Sequence, residues 1–573
     1  MGVRLSGAAT AAPLASLLLA SLSCVLNCVP ALAQSDANAL QRADAAFRAG
    51  YAAMQAGKLE DARQDFAKVV IFAPQLPEGH VALGAILVQL GKPEEAIPEL
   101  ERALVLKPGD GATEANLAAA HEAKARNLAG TGRLTEAEAE MQAALRVLPE
   151  QTPDPRRSEL EDELGSLLAQ EKRWAEAETA FREALRLTAP DEKALAPHMH
   201  LGIVLVEEKQ FLAAIEELNT AVAAAPDNAQ AQMQLGRGLA AAGRDEEAEP
   251  HLREALKIAP QLPGGALELA MIQQRLGKQQ ESIPLFQQAL AANPKDAQAL
   301  TNLGLALTET GKAKDAMPYF DQALAENPND PVIHEDMGAA ELQQSHFDEA
   351  IAQFEKAREL DASNPQLHYD LGLAYKLKDR VDDAVRELTR AATLDPTLPD
   401  PPYTLGILYM QTGKLDSAAA QLKIALSLRP GNGDGWAILG SVLKQLDKRE
   451  EAVAALRKAI ELMPDQPGAH ITLAGVLAED GKKDEAAAER KIAAGLSRSA
   501  VSRQRAMLNT NAGNQALQRG EIADAVSRYQ EAIAADPAYA EAHAQLALAY
   551  ARQGRVEEAA AERSKADSLQ KPN

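Results

Sequence analysis

Histidine and carboxylate side chains are the groups that could do chemistry in this sequence, and their spacing decides which chemistry. The chain holds 10 His and 82 Asp plus Glu. His198 and His200 stand two apart in a helical pattern, so they point to different sides and cannot jointly clamp a metal from that helix. No His-Glu-x-x-His pair, Gly-x-x-x-x-Gly-Lys-Ser/Thr loop or Gly-x-Ser-x-Gly elbow occurs. The carboxylates gather in runs such as Asp245-Glu246-Glu247 and Asp382-Asp383. Such runs suit exposed first turns of helices, where the dipole favours negative charge. An enzyme is therefore not expected, and neither is a cofactor or a metal site. One stretch is different: Arg490, Lys491, Arg498, Arg503 and Arg505 form a basic patch in an acidic chain. It reads either as a docking point for an acidic partner or as a solvated joint between two stacks.

The elements that carry these residues must be helical. Hydrophobic residues make up 46% of the 573, but aromatics only 3%, a mix that suits closely packed helices better than sheets. The net charge of −23 argues against nucleic acid as a partner, since phosphates need a basic face. Residues 1–33 read as a signal peptide: Arg4, an apolar stretch from Ala11 to Val29, then Ala31-Leu32-Ala33, with cleavage expected after Ala33. An uncleaved anchor is the alternative, although Pro13, Ser16, Ser21, Ser23 and Asn27 interrupt the stretch. A lipoprotein reading would use Cys24 or Cys28, whose flanking residues fit a lipobox poorly. Both cysteines of the chain lie here, so the expected mature protein has no thiol.

A period of 34 residues organises the rest. Fifteen repeats begin at Ala43, Pro77, Ala118, Ser158, Leu195, Ala229, Pro263, Ala297, Pro331, Pro365, Pro399, Gly433, Pro467, Ala506 and Ala540. Position 8 is always Gly or Ala, position 20 is Ala except for Ser282, and position 27 is Ala except for Val69. Position 32 is Pro in eleven repeats and position 15 is Gly in ten. Each repeat reads as two amphipathic helices, at about positions 1–14 and 18–31. Small residues at 8, 20 and 27 let the helices approach closely. Glycine at 15 ends helix A in a left-handed residue, and the proline discourages helix B from continuing.

These four columns closely resemble the tetratricopeptide-repeat (TPR) family over almost the whole expected mature chain. The resemblance implies an all-α fold, a right-handed superhelix of about fifteen hairpins with helix A on the concave face. It also implies that a groove there receives a peptide or a partner helix. Helix-A positions 5, 9 and 12 then give Met199, Ile203, Val206, Met233, Leu267, Met271, Leu305, Tyr369, Leu373, Tyr403, Ile407 and Met410 as the binding track. Several of these residues could instead buttress neighbouring helices.

The expected organisation is a lead at 34–42 and repeats 1–4 at 43–191, with inserts at 111–117 and 152–157. Repeats 5–13 follow in continuous register at 195–500, then a joint at 501–505 and repeats 14–15 at 506–573. The insert at 111–117 is about two helical turns and can lengthen a helix A in phase; the insert at 152–157, Pro-rich, reads as an extended link. The expected function is a non-enzymatic scaffold that binds partner proteins or peptides outside the cytoplasm, in the periplasm, at the envelope or secreted. A holdase or peptide carrier, or a subunit of an envelope polysaccharide machine, are the alternatives. Membrane contact is expected only through partners or an uncleaved N-terminal segment.

Overall fold

The computed structural model of the chain describes residues 34–150, 154–189 and 194–570. The expected signal peptide and residues 152–153 of the link lie outside them. Among the described residues there are twenty-nine helices and no strand. Two compact bodies divide the chain, residues 1–306 and 307–573.

Within each body, helix A packs on helix B of its own repeat, and helix B on the next helix A. The small-residue column explains the close approach. A Cβ added at Gly165 would sit 2.6 Å from the Phe181 ring, and one at Gly406 would sit 2.6 Å from Leu422 Cγ. The partner is position 24, a large buried apolar residue such as Phe181, Leu252, Phe354, Leu422 or Tyr529. Ala at position 20, such as Ala177, Ala316 and Ala452, is likewise buried in every repeat but the last, where Ala559 is half-buried. The repeat at Ala297 has helices Ala297–Glu309 and Ala313–Glu326, each within a residue of the expected span.

Position 15 takes a left-handed φ in all fifteen repeats. Ten are glycines, such as Gly243 at 73° and Gly413 at 72°. The other five are Lys172, Lys209, Ser345, Asp379 and Asp447, at 55–64°. The turn geometry is thus imposed by the hairpin even where the residue resists it.

Three expectations about the inserts change. The lead at 34–42 is part of helix Gln34–Gln55 and not a separate segment. The link at 152–157 is not extended at its end: Pro155, Arg156 and Arg157 form the first turn of helix Pro155–Gln170. Proline is favoured at that first position, and the Asp154 carboxylate caps the turn by accepting from the Arg157 backbone N–H at 3.1 Å. The joint at 501–505 is no joint. It lies inside one 36-residue helix, Lys483–Gln518, which serves as helix B of repeat 13 and helix A of repeat 14. The proline that closes most repeats is Arg498 here, and no Gly or Pro occurs between Gly495 and Gly513 to stop the helix. That fusion is why fifteen hairpins yield twenty-nine helices. The insert at 111–117 forms the opening turns of helix Gly111–Gly130, capped by Asp110, whose carboxylate accepts from the Thr113 backbone at 3.2 Å.

Candidate functional site: the helix-A surface

Each track residue sits on a helix A whose position 8 is held against helix B. Position 9 therefore lies beside the contact, not in it. Eleven of the twelve track residues are half-buried, and Met233 is buried at 6% exposure. The eleven are neither core nor free surface, which suits residues lining a groove and also residues that support neighbouring helices. Met233 instead packs in the core with Leu235 and Leu252 and is not a groove-lining residue.

In the first body, Ile203 and Val206 line a cavity of about 300 Å³ together with Leu218, Gln234, Gly238 and Glu268. Gly238 keeps it open, since a Cβ there would meet Leu218 Cδ1 at 2.8 Å. The rim is charged: Arg237 pairs with Glu268 at 3.1 Å, and Arg275 holds Asp245 through two bonds of 2.7 Å. The Arg275 guanidinium keeps the Asp245 carboxyl below the usual range.

In the second body, Tyr369, Leu373, Tyr403, Ile407 and Met410 lie on helices A of a run that also carries three carboxylates absent from the sequence-based set. Burial pushes Asp336 up to about 7, with the charges of Glu335, Glu309 and Asp330 adding to it. Asp370 rises to about 6, again through burial, although it accepts hydrogen bonds from the Gln366 amide at 3.1 and 3.2 Å. Glu335 is also raised, by burial and by the nearby Asp370. Asp336 and Asp370 both occupy position 6, a coincidence the sequence alone displays. Burial raises the phenols of Tyr369 and Tyr403 as well.

A second recurrent arrangement lies outside what the histidines show when taken singly. Position 4 is His in seven repeats, and in six of them Nδ1 lies 2.5–2.7 Å from a Glu nineteen residues on: His80–Glu99, His121–Glu140, His198–Glu217, His368–Glu387, His470–Glu489 and His543–Glu562. His334 pairs with Gln353, and one repeat exchanges the partners as Gln232 and His251. In His80, His368 and His543 the other nitrogen faces a carbonyl six residues earlier, at 3.1–3.2 Å. One nitrogen of each of these rings thus faces a carboxylate and the other a backbone carbonyl. The imidazole thereby ties the preceding loop and helix A to helix B. His at 4 with an acid at 23 was the available signal. His200, on the other side of its helix from His198, meets Asp162 at 2.9 Å.

The basic residues Arg490, Lys491, Arg498, Arg503 and Arg505 are all exposed on the helix Lys483–Gln518. Arg503 is ion-paired with Asp536 and lies over the Tyr539 ring at 5.3 Å. Among the described residues, no cluster of three or more His, Cys, Asp or Glu is placed to hold a metal, and no helix is long and apolar enough to cross a membrane.

Known proteins agree with this architecture. A family profile described as tetratricopeptide repeat matches residues 81–155, 122–192, 200–263, 267–331, 403–467 and 439–499. A second, described as TPR repeat, matches 338–379 and 513–554. No curated protein matches the chain. Solved structures similar to parts of it include YrrB, described as a TPR protein with an unusual peptide-binding site. It is 26% identical, covering 32% of this chain and 95% of its own, with a TM-score of 0.29. MamA from Desulfovibrio magneticus RS-1 is 23% identical, covering 29% of this chain and 95% of its own, with a TM-score of 0.28. A TPR protein from Parabacteroides merdae ATCC 43184 is 20% identical, covering 44% and 97%, with a TM-score of 0.33. With the profile matches spread over more than half its length and the small-residue columns holding its hairpins together, this chain belongs to the tetratricopeptide-repeat family.

Proposed function

We propose that this chain is a non-enzymatic scaffold that grips partner polypeptides along its helix-A track, outside the cytoplasm. The observation that carries the reading is the half-buried apolar track at positions 5, 9 and 12, present in each body. Methionine and tyrosine make up half of the twelve residues, and methionine adapts its shape to varied apolar side chains. Apolar surface left accessible in this way is typical of interaction sites. The expected signal peptide at 1–33 supports export, and the lack of cysteine after Cys28 is compatible with an oxidising compartment.

The double variant Met271→Asp, Tyr403→Asp tests it. Both residues are half-buried, so each Asp should be tolerated by the fold, which circular dichroism checks. Partner capture from an envelope fraction should fall sharply relative to the parent chain. Unchanged capture by a folded variant would contradict the groove. One stoichiometric partner fits a dedicated scaffold, whereas many unfolded clients would point to a holdase.

A further inference from the structure

The fused helix Lys483–Gln518 exposes a continuous face between the two hairpins it joins. Its buried residues are Ala486 and Ala493 at one end and Ala506, Thr510, Gly513 and Ala516 at the other. The intervening twelve residues, 494–505, bury nothing and span about 18 Å. From Arg490 to Gly520 the chain carries no carboxylate, although it has 82 elsewhere. Among the described residues, Arg490, Lys491, Arg498 and Arg505 make no ion pair, and Arg498 donates from Nε to the Ala494 carbonyl at 3.1 Å.

The spacing on this helix is regular. Ala494, Val501 and Leu508 recur every seven residues, with Val501 66% and Leu508 63% exposed. Lys491, Arg498 and Arg505 recur every seven residues beside them. At about 100° per residue, both series fall within roughly a quarter to a third of the helix circumference. An apolar line with a seven-residue period, flanked by charges of one sign, is the surface against which a second α-helix supercoils.

We infer that this face docks an acidic amphipathic helix of a partner protein, its apolar seam on Ala494, Val501 and Leu508 and its carboxylates on Lys491, Arg498 and Arg505. Charge complementarity selects the acidic partner, and the apolar period selects a helix. A nucleic acid offers no apolar line for Val501 and Leu508 to pack on. The same face of a second copy repels it, because like charges would meet. This docking is independent of the helix-A track, and each can fail without the other.

The experiment uses the full chain and a labelled synthetic helix of four heptads, with Leu at the seam and Glu flanking it. Fluorescence anisotropy at physiological salt should show saturable binding. The same peptide with Ser at the seam, and a version with Lys in place of Glu, should each bind at least about tenfold more weakly. Arg498→Glu with Arg505→Glu should weaken the Glu peptide by about tenfold or more, whereas Arg498→Lys with Arg505→Lys should keep most of the affinity. Val501→Asp with Leu508→Asp should also abolish binding. All four positions are solvent-facing, so the variants should melt like the parent. Equal affinity for the Ser-seam peptide would overturn the proposal, because charge alone would then suffice. So would stronger binding of phosphatidylglycerol vesicles or single-stranded DNA through the same arginines, or a dimer in sedimentation that the Arg498→Glu, Arg505→Glu variant dissolves.

Discussion

At the residue scale, the repeat forces its geometry on side chains that do not favour it. Ser345 holds φ at 64°, where ten other repeats use glycine. A non-glycine residue pays steric strain there, and glycine at that site gives back part of it as chain entropy. Ser345→Gly should therefore raise stability by about 0.5–1 kcal/mol, read from the urea midpoint; a lower midpoint would contradict the turn geometry. Asp336 tests the electrostatics of the track. In strongly acidic solution both folded and unfolded chains keep this proton, and burial costs nothing. As pH rises from the ordinary carboxylate range towards about 7, the unfolded chain ionises first and stability is lost. Asp336→Asn cannot ionise, so its gain should be larger at about pH 8 than at about pH 4.5, by roughly 1–3 kcal/mol. An equal gain at both would show that Asp336 titrates as an exposed acid. Residues of this kind were only partly legible in the sequence. The position-15 glycines announced the turn, but nothing in Lys172 or Ser345 by type alone says left-handed. The paired column of His at 4 and Glu at 23 was present, yet it becomes meaningful only once helices A and B are brought face to face.

At the element scale, the hairpin rests on a small residue opposite a large one. Gly165→Ala sets two effects against each other. Alanine is worth about 1 kcal/mol over glycine in a helix, while overpacking a fitted contact costs about 1–3 kcal/mol. The added Cβ would lie 2.6 Å from Phe181, so overpacking should win and the denaturation midpoint should fall. Gly495, in the unsupported part of the fused helix, has nothing within 4 Å of an added Cβ. Gly495→Ala should therefore be neutral or stabilising, and equal losses at both sites would refute the distinction. The sequence located the hairpins well because columns 8, 20 and 27 repeat by identity. Position 24 escaped notice because Leu, Phe, Met and Tyr alternate there, conserving size and apolarity and not residue type. The fused helix escaped for the opposite reason: a missing stop leaves no positive signal, and Arg498 in place of proline is only one residue of the basic patch.

At the scale of the whole molecule, stability should be distributed over neighbouring hairpins, as in other stacked-repeat chains. Position 24 turns polar at two places, Arg490 in repeat 13 and Arg563 in repeat 15, and both are exposed. In repeat 13 that polar position belongs to the helix B that runs on as the fused helix. The surface proposed to meet a partner is the helix-A track. The measurement that tests this most directly is site-specific photocrosslinking. A photoreactive phenylalanine analogue placed at Leu267, Leu373 or Ile407 reports on the track, and one at the exposed helix-B residues Gln287 or Arg390 serves as the control. Polypeptide adducts at the three track positions, with none at the two helix-B positions, is the predicted result. Adducts confined to helix B, with a silent track in a folded chain, would contradict it.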